Sequence, residues 1–198
     1  VSICVITNNS LQKVQDFCQH FDALADQIFI ANTGKENLQQ LQSKKIQITN
    51  FPWSDDFSAA RNFLLGKAPN GWVMMLDIDN TIKQAEQLQL KADLNTLKDE
   101  NVVFLPCKFR NKQSLEPKIW QAELNLRYKY PVHEQLQEPA KYKKIELNYQ
   151  IDLGNSSKDH YIASRKYYVK IMERYLLSDP HDHRMQHYLK SDLNFLQT

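Results

Sequence analysis

Asp77 and Asp79 stand one residue apart at the end of the apolar run Trp72-Val-Met-Met-Leu. A stretch of that length without a polar interruption reads as a buried strand, central in a parallel sheet. A carboxylate at its end is costly unless a cation or hydrogen-bond donors compensate it. Open α/β sheets bind ligands at the carboxyl ends of their strands. The pair therefore points to a divalent cation or a sugar hydroxyl as its partner. Two other strand-like runs also end in polar residues, at Thr7-Asn8-Asn9 and at Asn32-Thr33-Gly34. In a parallel sheet all three ends share one edge. Turn and cap preference suffices to explain Asn8 or Asn32 taken singly, but capping needs only one carboxylate and leaves the Asp77/Asp79 pair unexplained.

A second constellation is Asp55-Asp56-Phe57-Ser58-Ala59-Ala60-Arg61-Asn62. Asp56 or Ser58 suits a helix N-cap, and the two alanines permit close packing on a sheet. Arg61 then falls in the first turn, near the positive helix end, where it suits a phosphate or carboxylate partner; the plainer alternative is an ion pair with Asp55 or Asp56.

The elements that must hold these residues alternate through the first half. Strand-like runs over Ser2 to Thr7, Gln27 to Ala31, Ile46 to Thr49 and the segment before Asp77 are separated by helical patterns over Leu11 to Phe21, Glu36 to Ser43 and Ser58 to Lys67. That order predicts a parallel sheet flanked by helices. After a helix over Gln84 to Leu97, the runs at Val102 to Phe109, Ile119 to Arg127 and Ile145 to Leu153 read as further, mostly antiparallel strands. Lys158 to Thr198 is helical by pattern, broken at Ser178-Asp179-Pro180. The division expected is an α/β domain over 1–155 and a helical C-terminal extension over 156–198 packed on it.

Composition narrows the function. The 198 residues carry a net charge of +2, with 42% apolar and 24% charged residues, which gives no reason to expect nucleic acid as a partner. The three cysteines, Cys4, Cys18 and Cys107, lack metal-ligand spacing and fit a reduced, cytoplasmic protein. No run approaches the length of a membrane span, and the first residues lack signal-peptide character. His181, His183 and His187 invite a metal-site reading, but they lie in a polar helix start without supporting groups, which makes it the weaker one; the basic run Lys141, Lys143, Lys144 reads as a solvated face, with a phosphorylated lipid as the alternative partner. Tyr161, Tyr167, Tyr168 and Tyr175 read as packing of the terminal helices in preference to a sugar-stacking platform.

Taken together, these motifs resemble family 2 glycosyltransferases of GT-A fold, in particular a bacterial group. Ser2-Ile-Cys-Val-Ile-Thr-Asn-Asn9 matches the group's opening strand, Ala31-Asn-Thr-Gly-Lys35 its following turn, Trp53 to Asn62 its W-x-DDFSAARN segment, Leu76 to Asn80 its LDADE strand end, and Val132-His-Glu-Gln-Leu136 its VHEQL segment. The resemblance covers nearly the whole chain. It implies a GT-A-like (Rossmann-like) mixed, mainly parallel sheet flanked by helices, and metal-dependent, inverting transfer of a sugar from a nucleotide-diphosphate donor, a UDP-sugar first, to a glycan or lipid-linked acceptor. It further implies Mg²⁺ or Mn²⁺ on Asp79, with Asp77 on the ribose or the same ion, Arg61 on the diphosphate or base, Asn9 and Asn32 in the nucleoside pocket, and Glu134 as general base with His133 as second choice. A role in cell-surface polysaccharide assembly follows by analogy, and a lipid-linked acceptor would bring the protein to the inner face of the membrane.

The departures from the pattern are Ser10, Asn32 and Asn80, where the group carries acids, and Asp152, which stands near the place of a histidine and is expected to replace it as a metal ligand. Three acids have become neutral, so the alternative is a catalytically degenerate domain that binds nucleotide sugars or acts as a scaffold. An unrelated nucleotidyltransferase would need a Gly-rich phosphate loop, which four scattered glycines do not supply.

Overall fold

A computed structural model describes residues 1–97, 101–139, 141–154 and 157–197. The first four strands are β1 (Ser2–Thr7), β2 (Gln27–Asn32), β3 (Ile46–Asn50) and β4 (Trp72–Asp77). They run parallel in the order β3-β2-β1-β4. Every residue of β1 is buried, as expected of a central parallel strand covered on both faces.

Alternation along the strands supplies those two faces. Ile3, Val5, Ile28, Ile30, Met74 and Leu76 point to one side. There they meet Val14 and Phe17 of helix α1 (Leu11–His20) and Leu90 and Leu94 of helix α3 (Gln84–Thr96). Cys4, Ile6, Phe29, Val73 and Met75 point to the other side, onto Ala60 and Leu64 of helix α2 (Phe57–Leu65).

The sheet continues through β7 (Lys112–Gln121), β6 (Asn101–Phe109), β11 (Ile151–Asp152) and β5 (Thr81–Ile82). β4 pairs antiparallel with β7, and β7 antiparallel with β6. The expectation of mostly antiparallel strands in this half holds for these two pairs and for β11 against β5. β10 (Lys143–Glu146) and β11 both run parallel to β6 and share its free edge. The predicted helix over Glu36 to Ser43 is also corrected. Only a single 3₁₀ turn forms, at Gln39–Leu41, because Gln42 leaves the helical course to donate to Gln47 and accept from the backbone of Ile48.

β8 (Arg127–Lys129) and β9 (Gln135–Gln137) form a separate two-stranded ribbon. The chain then ends in helices α4 (Lys158–Ser178) and α5 (His183–Leu196). Val169, Ile171 and Met172 of α4 and Met185 of α5 bury Val132 and pack on Phe57. The terminal helices thereby close over the segment between β8 and β9.

Candidate functional site

The carboxyl ends of β2, β1 and β4 lie side by side, with Thr7 opposite Asn32 and Ile6 opposite Asp77. A cavity of about 690 Å³ opens there, within the range of small-molecule sites. It is lined by Thr7, Asn9 and Thr33, by Arg61, Asp77 and Glu134, and by Asp79. Five of the residues singled out from the sequence, Asn9, Arg61, Asp77, Asp79 and Glu134, are thus brought to one space.

Helix α2 shows how the Trp53–Asn62 segment does its positioning. Asp56 caps the helix by accepting from the backbone N–H of Ala59 at 2.9 Å. Asn62 donates to the carbonyl of Tyr128 and accepts from its N–H, both at 2.8 Å. Ser58 donates to the carbonyl of Tyr130, and the N–H of Phe57 to that of Pro131 at 2.9 Å. One face of α2 therefore grips residues 128–131 and fixes the strand that follows. Arg61 completes the grip. It lies in the second turn, its side chain only 13% exposed, and donates to Asp77 at 2.7 Å and Glu134 at 3.0 Å. It bridges two carboxylates, Asp77 and Glu134, in place of the ion pair with Asp55 or Asp56 that was the plainer alternative.

The two aspartates differ in charge preference. Burial works against ionisation of Asp77, but Arg61 and Lys118 outweigh it and hold the carboxyl below its usual range. Asp79 is pushed above that range by burial and by the Asp77 charge, which Lys13 and His160 only partly offset. An arriving cation would relieve that repulsion. Among the described residues no group of three or more His, Cys, Asp or Glu side chains is disposed to hold a metal. The set on offer is one or two carboxylates, which suits an ion that keeps water and substrate phosphates as its other ligands, as Mg²⁺ does.

Three of the predicted site residues stand apart from the cavity lining. Asn32 is buried at the end of β2. It donates to the carbonyl of Glu36 at 2.8 Å and to Asn50 at 3.1 Å, and accepts from the N–H of Gly34. Its work is to shape a turn in which Gly34 passes so close to Asn8 that an added Cβ would lie 2.9 Å from the Asn8 Cα. His133 turns to the opposite side from Glu134, stacked on Tyr188 with ring centroids 4.2 Å apart and 3.1 Å from the buried Asp192. Asp152 is exposed, accepts from Gln150 at 3.0 Å, and lines neither cavity that Asp79 lines. What approaches Asp79 there is Gly154: a Cβ on it would sit 2.7 Å from Oδ2. Asn80, another departure, accepts from the N–H of Asp77 at 3.0 Å and so shapes the turn that presents the pair.

The residues missed come from α4. His160, Ser164, Tyr167 and Tyr168 all face the cavity, where Tyr167 and Tyr168 were expected to be packing alone. Trp53 donates to the Tyr167 hydroxyl at 2.7 Å, Tyr167 donates to Asp55, and Arg174 pairs with Asp55 at 2.8 Å. This latch holds α4 across the site. Only a pattern of aromatic and polar residues along one face of α4 hinted at it.

No protein-family model matches the chain. Solved structures of S. aureus TarS residues 1–349 match its fold. One such structure has 14% identity and a TM-score of 0.57, covering 98% of this chain and 70% of that one. The complex with UDP-GlcNAc has 14% identity, a TM-score of 0.56 and coverage of 98% and 71%; the complex with UDP has 12% identity and a TM-score of 0.56. The chain has a GT-A-like α/β fold, as its sequence motifs imply. A TPR repeat-containing protein of Synechococcus elongatus is 21% identical over 141 residues, 68% of this chain and 34% of that protein. The chain thus spans about a third of that relative's length.

Proposed function

We propose that the chain is an inverting glycosyltransferase that takes its sugar from a nucleotide-diphosphate donor. One observation carries this reading: at the strand edge of a GT-A-like sheet, Asp77, Asp79, Arg61 and Glu134 converge on a single cavity. The UDP and UDP-GlcNAc complexes of the S. aureus neighbour support a uridine nucleotide as the first donor to try.

In this reading the nucleoside lies along Thr7, Asn9 and Thr33, with the diphosphate reaching toward Asp79. Mg²⁺ or Mn²⁺ held by Asp79, with Asp77 beside it, would neutralise the charge that grows on the departing diphosphate. The acceptor hydroxyl oxygen attacks the anomeric carbon from the face opposite the diphosphate. The carbon–oxygen bond to the phosphate breaks, its electron pair leaves with the nucleotide, and Glu134 takes the proton of the hydroxyl. Attack from the opposite face inverts the anomeric centre. Arg61 fixes Glu134 and Asp77 relative to each other, which is the positioning such a step needs.

The degenerate reading draws on Asn32 and Asn80, both neutral and both occupied in their own turns. Nucleotide release from UDP-GlcNAc, followed against a panel of saccharide acceptors, separates the two. An enzyme should lose about 10²–10⁴-fold in rate on Glu134→Gln while retaining UDP affinity. Nucleotide binding with no turnover on any donor would favour the binding module.

A further inference from the structure

A second cavity, of about 900 Å³, lies between the turn joining β6 to β7 and helices α4 and α5. It shares Asp77, Asp79, His160, Ser164 and Tyr168 with the donor cavity. A molecule lodged there reaches the carboxylate pair without entering the space assigned to the nucleotide. We propose that this cavity is the acceptor groove and that it selects an anionic saccharide, one bearing a phosphate or carboxylate group, an inference that rests on the donor reading above.

The groove is polar at both ends, with opposite signs. Its inner end carries Asp77 and Asp79, the former already balanced by Arg61. Its outer end carries Arg110, Lys112 and Arg165. Arg165 is fixed by a 2.8 Å ion pair with the buried Asp192. Arg110 occupies a left-handed turn conformation, φ +54, that glycine or asparagine adopts at lower cost. In that turn its guanidinium lies over Phe109 at 5.2 Å and over Tyr161 at 5.5 Å. Those two rings are themselves stacked, 6.2 Å apart and inclined by 28°. Cation–π contact with these rings, and of Arg165 with Tyr161 at 4.8 Å, holds the guanidinium groups in place, where they offer hydrogen bonds to an oxyanion. Opposite charge at the two ends orients such a molecule, hydroxyl inward and anion outward.

The third cavity, of about 410 Å³, has the contrary character. Glu116, Glu134 and Glu138 face it, and its Lys118 is paired with Glu116 at 3.1 Å. It would repel an anion.

Calorimetric titrations of glucose, glucose 6-phosphate and glucuronic acid, run with UDP and manganese present, test the assignment. At least one of the anionic sugars should bind about tenfold or more tightly than glucose, and the tighter of the two tells which anion the groove takes. The double variant Arg110→Glu/Lys112→Glu, checked for an unchanged melting temperature, should lose that preference. Equal affinity for glucose, or a preference that survives the double charge reversal, would overturn the proposal. So would inorganic phosphate binding as tightly as glucose 6-phosphate, since the sugar would then contribute nothing. The UDP titration run first separates the two readings: UDP binding without sugar discrimination sinks the acceptor assignment alone, whereas absence of UDP binding sinks the donor site as well.

Discussion

Asp79 owes its presentation to two small neighbours. Asn80 holds the turn by accepting from the Asp77 N–H, and Gly154 lets the carboxylate pass where any side chain would collide. Gly154 also has φ +77, a conformation that costs an L-residue about 1–2 kcal/mol. Gly154→Ala should therefore lower stability by about that amount and weaken manganese-dependent nucleotide binding, because a flexible relief of the clash means moving the Asp79 carboxylate itself. A melting curve paired with a UDP titration checks both effects; unchanged binding would show that Asp79 does not need its observed position. His133 shows the opposite logic. Burial lowers its pKa below the usual histidine value, against the pull of Asp192. The unfolded chain then binds more protons than the folded one below about pH 6.5. Stability should fall as pH drops below that point, and His133→Phe, which keeps the stack on Tyr188, should flatten the dependence of melting temperature between about pH 7 and 5. An unaltered slope would mean that the imidazole is not the group responsible.

At the scale of elements, α2 is the part that converts sequence into site geometry. Its polar face holds residues 128–131 through Ser58 and Asn62, and its Arg61 joins the carboxylate at the end of β4 to the one just before β9. Removal of the cap by Asp56→Ala should cost about 0.5–2 kcal/mol in denaturant unfolding. Fraying of the first turn would also loosen the Phe57 contact with Pro131, so a drop in transfer rate should accompany it. A loss of stability with wild-type rate would indicate that Glu134 is held by the ribbon of β8 and β9 without help from α2. The terminal helices have a comparable role on the other wall. Through Tyr167, Arg174 and Asp55 they close the cavity that the sheet edge opens, and through Met172 and Met185 they bury Val132, next to the pair that sends His133 one way and Glu134 the other.

For the molecule as a whole, what was legible in the sequence was the part written in periodicity and in short local motifs. The buried strands and the helices α1, α2 and α3 are continuous patterns, and the three polar strand ends meet on one edge because parallel strands leave them no other arrangement. What lay beyond reach depended on partners distant in sequence. Arg61 could be seen as an anion binder, but nothing local shows that Asp77 and Glu134 would both claim it. Asp152 was placed by its position relative to Gly154, and only the pairing of β11 with β6 and β5 shows its carboxylate on the exposed side. The faces of α4 stayed ambiguous because its aromatic residues serve packing and cavity at once. Among the described residues no helix is long and apolar enough to cross a membrane. The proposed activity stands or falls on a metal-assisted nucleotide site at the edge of β1, β2 and β4. Calorimetric titration of UDP, with and without manganese and against Asp79→Ala, addresses it directly. The expected result is saturable binding that weakens about tenfold or more without manganese and is lost in the variant at unchanged fold. Absence of binding at millimolar UDP, or equal binding by Asp79→Ala, would contradict it.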